Sequence, residues 1–159
     1  MSFKRILVAV DNGEPALRAT DAAIRLAGQV GGVIAFVNVV PDALMPPNEM
    51  GFIDPRNREE LHKRAQSLLR LVRDRAHDVP SDQILREGAV AEEIVAAARE
   101  WGADLIVVGN HARPLLEKLL LGNTTKGVLH RAPCPVLVVN TPVGTPSRPV
   151  EMACCAAGQ

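Results

Sequence analysis

The sequence is poor in aromatic residues, which make up 3% of its 159 residues and include no tyrosine. Proteins that stack nucleic-acid bases, or that enclose cations in aromatic cages, need several such side chains. We therefore expect aliphatic side chains to form the core, and we expect no nucleic acid partner.

The sequence also lacks an excess of charge of either sign. Its 18 Lys and Arg residues balance its 18 Asp and Glu residues, for a formal net charge of zero at pH 7. General binders of nucleic acid or of anionic membranes normally carry a strongly positive field. The charge balance therefore argues against both nucleic acid and membrane as partners.

The sequence also lacks long apolar runs and the cysteine spacings that are typical of disulfide frameworks or zinc sites. No apolar run is long enough to span a membrane, and the run near the start is too short for a signal peptide. Of the three cysteines, Cys134 lies in an apolar segment and Cys154 and Cys155 are adjacent, which suits neither a disulfide framework nor zinc. We expect a cytoplasmic protein with reduced thiols and no metal site of its own.

Apolar runs of strand length alternate with segments of helical period. Such alternation is typical of an open, mostly parallel α/β sheet with helices on both faces, whose ligands bind beyond the carboxyl ends of the strands. The predicted strands are residues 5–10, 33–40, 83–86, 103–108 and 135–139, and the predicted helices begin near Pro15, Pro55, Gly88 and Thr124.

The length is that of one domain, which we place at residues 1–140. Residues 141–159 are rich in proline, glycine and small side chains, and this composition predicts a disordered tail. Residues 41–56 contain four prolines and are predicted to form the one long loop inside the domain.

Three common nucleotide-binding motifs are missing from the strand ends. The turn after the first strand lacks the three spaced glycines of a dinucleotide fingerprint, and no Gly-Lys-Ser/Thr triplet provides a Walker loop. A receiver domain gathers several carboxylates around magnesium, whereas Asp11 is the single carboxylate expected at this edge. These absences exclude the dehydrogenase and P-loop classes and weaken the receiver class.

The remaining candidate site joins the fourth strand to the last helix. Gly109 begins it, and nine residues separate Ala112 from Gly122. Small residues allow close approach of a ligand, and a helix N-terminus attracts anions such as phosphate. Asn123, Thr124 and Thr125 would add donors, and Val39 ends a neighbouring strand. Asp11 would hold an adenine amino group, orient magnesium or cap the first helix.

Four segments resemble the universal stress protein family, and the resemblance extends over residues 3–140. The segments are KRILVAVD at residues 4–11, GAVAEEI at 88–94, ADLIVVG at 103–109 and APCPVLVV at 132–139. The resemblance implies a Rossmann-like fold of the adenine nucleotide alpha hydrolase type with strand order 3-2-1-4-5. It also implies a cytoplasmic role in stress, a homodimer formed through the last strand, and, in one branch, ATP bound by Gly-x2-Gly-x9-Gly-Ser/Thr.

The ATP motif of that branch corresponds here to Gly109, Ala112, Gly122 and Asn123, so that alanine replaces a glycine and asparagine replaces a hydroxyl residue. Alanine at a positive φ costs roughly 1 kcal/mol, whereas asparagine would serve as a helix cap and a donor. Arg113 lies in the same loop and would touch phosphate or remain a solvated charge.

The main functional prediction is a dimeric regulator that binds ATP, with magnesium, and acts on an unidentified protein partner. The dimer would pair the uncharged edge strand between Pro135 and Val139 with a second copy. Two alternatives stay open: a nucleotide-free protein that acts through protein contacts, as Ala112 favours, and a slow ATP hydrolase. No catalytic set is visible, so we assign no catalytic residue.

Overall fold

The computed structural model describes residues 3–45, 54–111 and 122–141, which form five strands that alternate with four helices. The strands are β1 (Arg5–Ala9), β2 (Val33–Pro41), β3 (Ser81–Gly88), β4 (Leu105–His111) and β5 (Val136–Thr141), and the helices are α1 (Glu14–Val30), α2 (Pro55–Arg75), α3 (Val90–Trp101) and α4 (Asn123–Arg131). A single 3-10 turn, Asp42–Leu44, follows β2.

The five strands form one sheet in the order β3-β2-β1-β4-β5, and every neighbouring pair is parallel. This confirms both the predicted fold class and the predicted strand order. β1 lies at the centre, where Leu7 pairs with Ala35 of β2 on one side and with Ile106 of β4 on the other. The carboxyl ends of β1, β2 and β4 therefore lie side by side.

Hydrophobic cores lie on both faces of the sheet. Ile6 and Val8 face α1 and α2, whereas the intervening Leu7 faces α3 and α4, as the alternation of a strand requires. All three side chains have no exposed surface. Burial on both faces explains why β1 has a continuous apolar sequence without alternating polar residues.

Three helix ends agree with their sequence signals. Gly31 follows α1 with φ 59° and Gly102 follows α3 with φ 72°, both left-handed conformations that a side chain would strain. At the start of α2, the Asp54 carboxylate accepts a hydrogen bond from the Arg56 amide at 2.9 Å, and Pro55 is the first helical residue.

Among the described residues, no helix is long and apolar enough to cross a membrane.

Three strands are longer than their apolar runs predict. β3 spans Ser81–Gly88, and β4 continues past Gly109 because Asn110 pairs with Asn140 and His111 pairs with Thr141 of β5. Thr141, which the sequence assigns to the tail, is thus the buried last residue of β5. Residues 142–159, with Cys154 and Cys155, lie outside the described residues, as do residues 46–53, which are half of the predicted loop.

Candidate functional site

A cavity of about 470 Å³ opens at the carboxyl ends of β1, β2 and β4. Its size is within the range of small-molecule sites. All four helices contribute to its walls, through the starts of α1, α3 and α4 and through residues 61–68 of α2. The cavity therefore lies where open parallel sheets bind their ligands.

Hydrogen bonds hold the ends of β1 and β2 together at the base of the cavity. The Val10 amide donates to the Val37 carbonyl at 2.9 Å, and the Asn38 side-chain amide donates to the Val10 carbonyl at 2.8 Å. Both strands thus reach the cavity with their backbones fixed. Val39 lines the cavity one residue farther along β2.

Asp11 lies on the surface of the cavity at the end of β1. One of its carboxylate oxygens, Oδ1, accepts a hydrogen bond from the Gly13 amide at 2.7 Å, which closes a tight turn. The N-cap of α1 is Gly13, and no side chain caps that helix. Asp11 therefore shapes the turn before α1 and does not serve as the N-cap residue, which leaves ligand contact as its other predicted role.

Gly109 brings β4 against the start of α1. A Cβ atom at this position would lie 2.3 Å from the Pro15 carbonyl carbon and 2.4 Å from its oxygen, distances that no side chain can adopt. Glycine is thus required for packing, whether or not a ligand binds. The close approach places the N-terminus of α1 beside the end of β4, at the edge of the cavity.

The N-terminus of α4 forms another part of the cavity wall, through Thr124 and Thr125. Its N-cap is Gly122, so the prediction that Asn123 caps this helix was wrong, and Asn123 is instead the first helical residue. The Thr125 hydroxyl donates to the Gly109 carbonyl at 3.4 Å, whereas the Thr124 side chain is exposed at the cavity. The amides of the first helical turn have no partner within the helix and favour an anion.

The structure brings most of the predicted site residues together. Asp11, Val39, Gly109, Thr124 and Thr125 line one cavity. Gly122 and Asn123 begin the helix whose next residues line it. Ala112 and Arg113, the remaining two, lie outside the described residues.

Sequence reasoning missed the wall that α2 and the 3-10 turn provide. Leu44, Leu61, Arg64, Ala65 and Leu68 line the cavity on this side. The helical period of α2 predicted an apolar face. Periodicity alone does not show which part of that face lines a cavity at the strand ends. Arg64, the one cation among the lining residues of the described chain, pairs with Glu60 one turn earlier.

A cluster of charges fastens the start of α2 to β3. Glu87, at the end of β3, accepts hydrogen bonds from His62 at 2.8 Å and from Arg58 at 3.0 Å. Partial burial raises the pKa of the Glu87 carboxyl, but the hydrogen bonds of His62 and Arg58 outweigh it and hold the pKa below its ordinary value. The cluster therefore keeps the α2 wall next to the strand ends.

Carboxylates and other metal ligands are sparse around the cavity. Asp11 is the one acidic residue among the described lining residues, and within the described ranges no three His, Cys, Asp or Glu side chains gather into a metal site. A magnesium ion at this position would depend mainly on ligands that a substrate supplies.

Comparison with known sequences identifies one family across nearly the whole domain. The profile of the universal stress protein family matches residues 2–140. Universal stress protein YxiE of Bacillus subtilis is 30% identical over 147 residues, which cover 86% of this chain and 99% of that protein. Universal stress protein MJ0531 of Methanocaldococcus jannaschii is 32% identical over 145 residues, which cover 88% and 84% of the two chains.

Solved structures share the fold. Hypothetical protein MJ0577 superposes with a TM-score of 0.77 at 24% identity, over 90% of this chain and 99% of that one. A universal stress protein in complex with cAMP superposes with a TM-score of 0.67 at 22% identity, over 89% of this chain and 100% of that one. A universal stress protein family protein from Arabidopsis thaliana with AMP bound superposes with a TM-score of 0.64 at 18% identity, over 92% of this chain and 97% of that one. At these identities the likeness concerns the fold alone.

Proposed function

The chain belongs to the universal stress protein family, and from this premise we propose that it binds an adenine nucleotide, ATP with Mg²⁺, in the cavity at the strand ends. We further propose that it does so as a cytoplasmic homodimer, and that the bound nucleotide governs its contact with a regulated protein. The observation that carries the proposal is that one cavity joins an apolar wall to the N-terminus of a helix.

The two ends of the cavity suit the two ends of a nucleotide. The N-terminus of α4 and the exposed Thr124 hydroxyl offer donors to phosphate oxygens. On the other side, Val39, Leu44 and Leu61 offer apolar surface to a base. Asp11 lies at the end of the central strand, between these two sides, where its carboxylate would accept a hydrogen bond from an adenine amino group.

Solved structures of the same fold contain adenine nucleotides, among them the complexes with cAMP and with AMP. They support an adenine nucleotide as the ligand class. The choice of ATP rests on the spacing of Gly109, Ala112 and Gly122, which the resemblance relates to a triphosphate motif. Magnesium would enter with the phosphates, because the cavity supplies one carboxylate and Mg²⁺ is commonly held by one or two carboxylates together with phosphates.

The exposed edge of β5 supports the homodimer. β5 pairs with β4 on one side and ends the sheet on the other, so one row of its backbone groups is unpaired within the described sheet. No charged residue protects residues 135–139 from pairing with another strand. Leu137 is 39% exposed, whereas Val136 and Val138 pack on the core that faces α3 and α4. Leu137 is therefore the apolar side chain we expect a second copy to cover.

Thermal denaturation with and without MgATP tests the proposed function. A ligand present at 100 times its Kd stabilises the native state by about 2.7 kcal/mol. For a chain of this size, each kcal/mol raises Tm by about 2–4 °C. We expect Tm to rise by several degrees with millimolar MgATP and by much less with CTP, which lacks the purine base. An unchanged Tm at millimolar MgATP would favour the nucleotide-free alternative.

A further inference from the structure

Asn110 is a buried polar residue at the edge of the cavity to which the sequence motif assigns no role. It follows Gly109 in β4, and the residue is 7% exposed. A buried amide is costly unless both its donor and its acceptor are satisfied. The partners of Asn110 therefore show what this side chain holds in place.

The two ends of the Asn110 amide bind different elements. Its nitrogen donates to the side-chain oxygen of Asn140 in β5 at 2.9 Å. Its oxygen accepts a hydrogen bond from the Gly122 backbone amide, immediately before α4, at 3.3 Å. The side chain thus connects the ends of two strands to the start of the helix that faces the cavity.

The hydrogen bond to Gly122 determines which helix amides remain for a ligand. Since the Gly122 amide is already bound to Asn110, the donors that remain at this end are the amides of residues 123–125, the first turn of α4, which have no partner among the described residues. The Asn140 oxygen orients the Asn110 side chain, because the amide can satisfy both partners in one orientation only.

We propose that Asn110 is a positioning residue for the phosphates: it fixes the N-terminus of α4 at the cavity, and so sets the affinity for the phosphate part of the nucleotide without touching the base. The inference rests on the proposed function. It deepens that function by assigning the phosphate end of the cavity a residue that does not itself contact the ligand.

The test compares the affinities for ATP and for adenosine in Asn110→Ala and in the wild type by calorimetry. Adenosine has the same base and sugar but no phosphate. We expect Asn110→Ala to weaken ATP binding by about tenfold, as the loss of one hydrogen bond's contribution predicts, and to leave adenosine affinity unchanged. A general loss of structure would instead weaken the binding of both ATP and adenosine.

Asn38→Ala is the matched control at the same sheet edge. The Asn38 amide also holds a backbone carbonyl, that of Val10, but on the β1 and β2 side of the cavity. We expect this variant to change the affinities for ATP and adenosine by the same factor. An equal change in Asn110→Ala, or no change in its ATP affinity, would overturn the role of Asn110 while the proposed function stands.

Asn140→Ala provides a second variant in case Asn110→Ala fails to fold. Asn140 is exposed, and its replacement removes only the group that orients the Asn110 amide. We expect a smaller loss of ATP affinity, of about two- to threefold, with adenosine affinity again unchanged. Unchanged ATP affinity here, with Asn110→Ala unfolded, would overturn the inference. A wild type that binds neither ligand would overturn the proposed function itself.

Discussion

Replacement of Asp11 by asparagine separates its role in the turn from its proposed role in recognising adenine. The Oδ1 atom of Asp11 accepts the 2.7 Å hydrogen bond from Gly13, and the side-chain oxygen of asparagine can accept the same bond. The second carboxylate oxygen would become an NH₂ group. That group donates a hydrogen bond and so cannot accept one from the adenine amino group.

The structure gives different magnitudes for two substitutions. Asp11→Ala removes the turn hydrogen bond, which contributes about 1 kcal/mol, and we expect a fall in Tm of about 2–4 °C. Asp11→Asn keeps that bond and should leave Tm unchanged. A hydrogen bond to a charged group contributes about 1.5–3 kcal/mol. Because Asp11 is exposed, we take the lower figure, which corresponds to about a tenfold loss of ATP affinity.

Calorimetric titration with ATP and with ITP measures the effect. ITP differs from ATP at the base, where an oxygen that accepts hydrogen bonds replaces the amino group. We expect the wild type to prefer ATP and Asp11→Asn to lose that preference while its Tm stays that of the wild type. If Asp11→Asn bound ATP with an unchanged preference over ITP, Asp11 would not contact the base. A loss seen only with magnesium present would assign Asp11 to the metal.

Three further predictions concern packing and assembly. Gly109→Ala should lower the free energy of unfolding by about 1–3 kcal/mol in urea titrations, because the alanine methyl group would collide with Pro15. A variant as stable as the wild type would refute the packing role of Gly109. Thr141→Val should raise stability by about 1 kcal/mol, since the buried Thr141 hydroxyl has no hydrogen-bond partner among the described residues; a loss of stability would reveal such a partner. Leu137→Lys should convert a dimer into a folded monomer, measured by light scattering; a wild type that is monomeric at tens of micromolar would contradict the dimer.

Much of the fold could be predicted because the apolar runs of a parallel sheet are buried on both faces. β1 shows this pattern most clearly, with Ile6, Leu7 and Val8 all buried. The true ends of β4 and β5 were missed because Asn110 and Asn140 are polar, and their pairing depends on neighbouring backbone rather than on hydrophobicity. In the same way, Ser81 and Asp82 extend β3 beyond its short apolar centre.

The part of the candidate site that could be predicted is the part that one sequence motif forms, on the connection between a strand and the next helix. Gly109, Thr124 and Thr125 come from such a connection and do line the cavity. The α2 wall could not be predicted, because the contact of Arg64 with the cavity depends on how a whole helix packs. The close approach of Gly109 to Pro15 likewise joins residues far apart in the sequence.

The central claim is that an adenine nucleotide binds with its phosphates at the N-terminus of α4. Titration of ¹⁵N-labelled protein with MgATP, followed through the backbone amide resonances, tests this claim most directly. We predict the largest shifts at residues 123–125 and at Gly109, with little change at the Asp21 and Arg75 ion pair outside the cavity lining. Unchanged resonances at millimolar MgATP, or shifts confined to residues outside the cavity, would contradict the account.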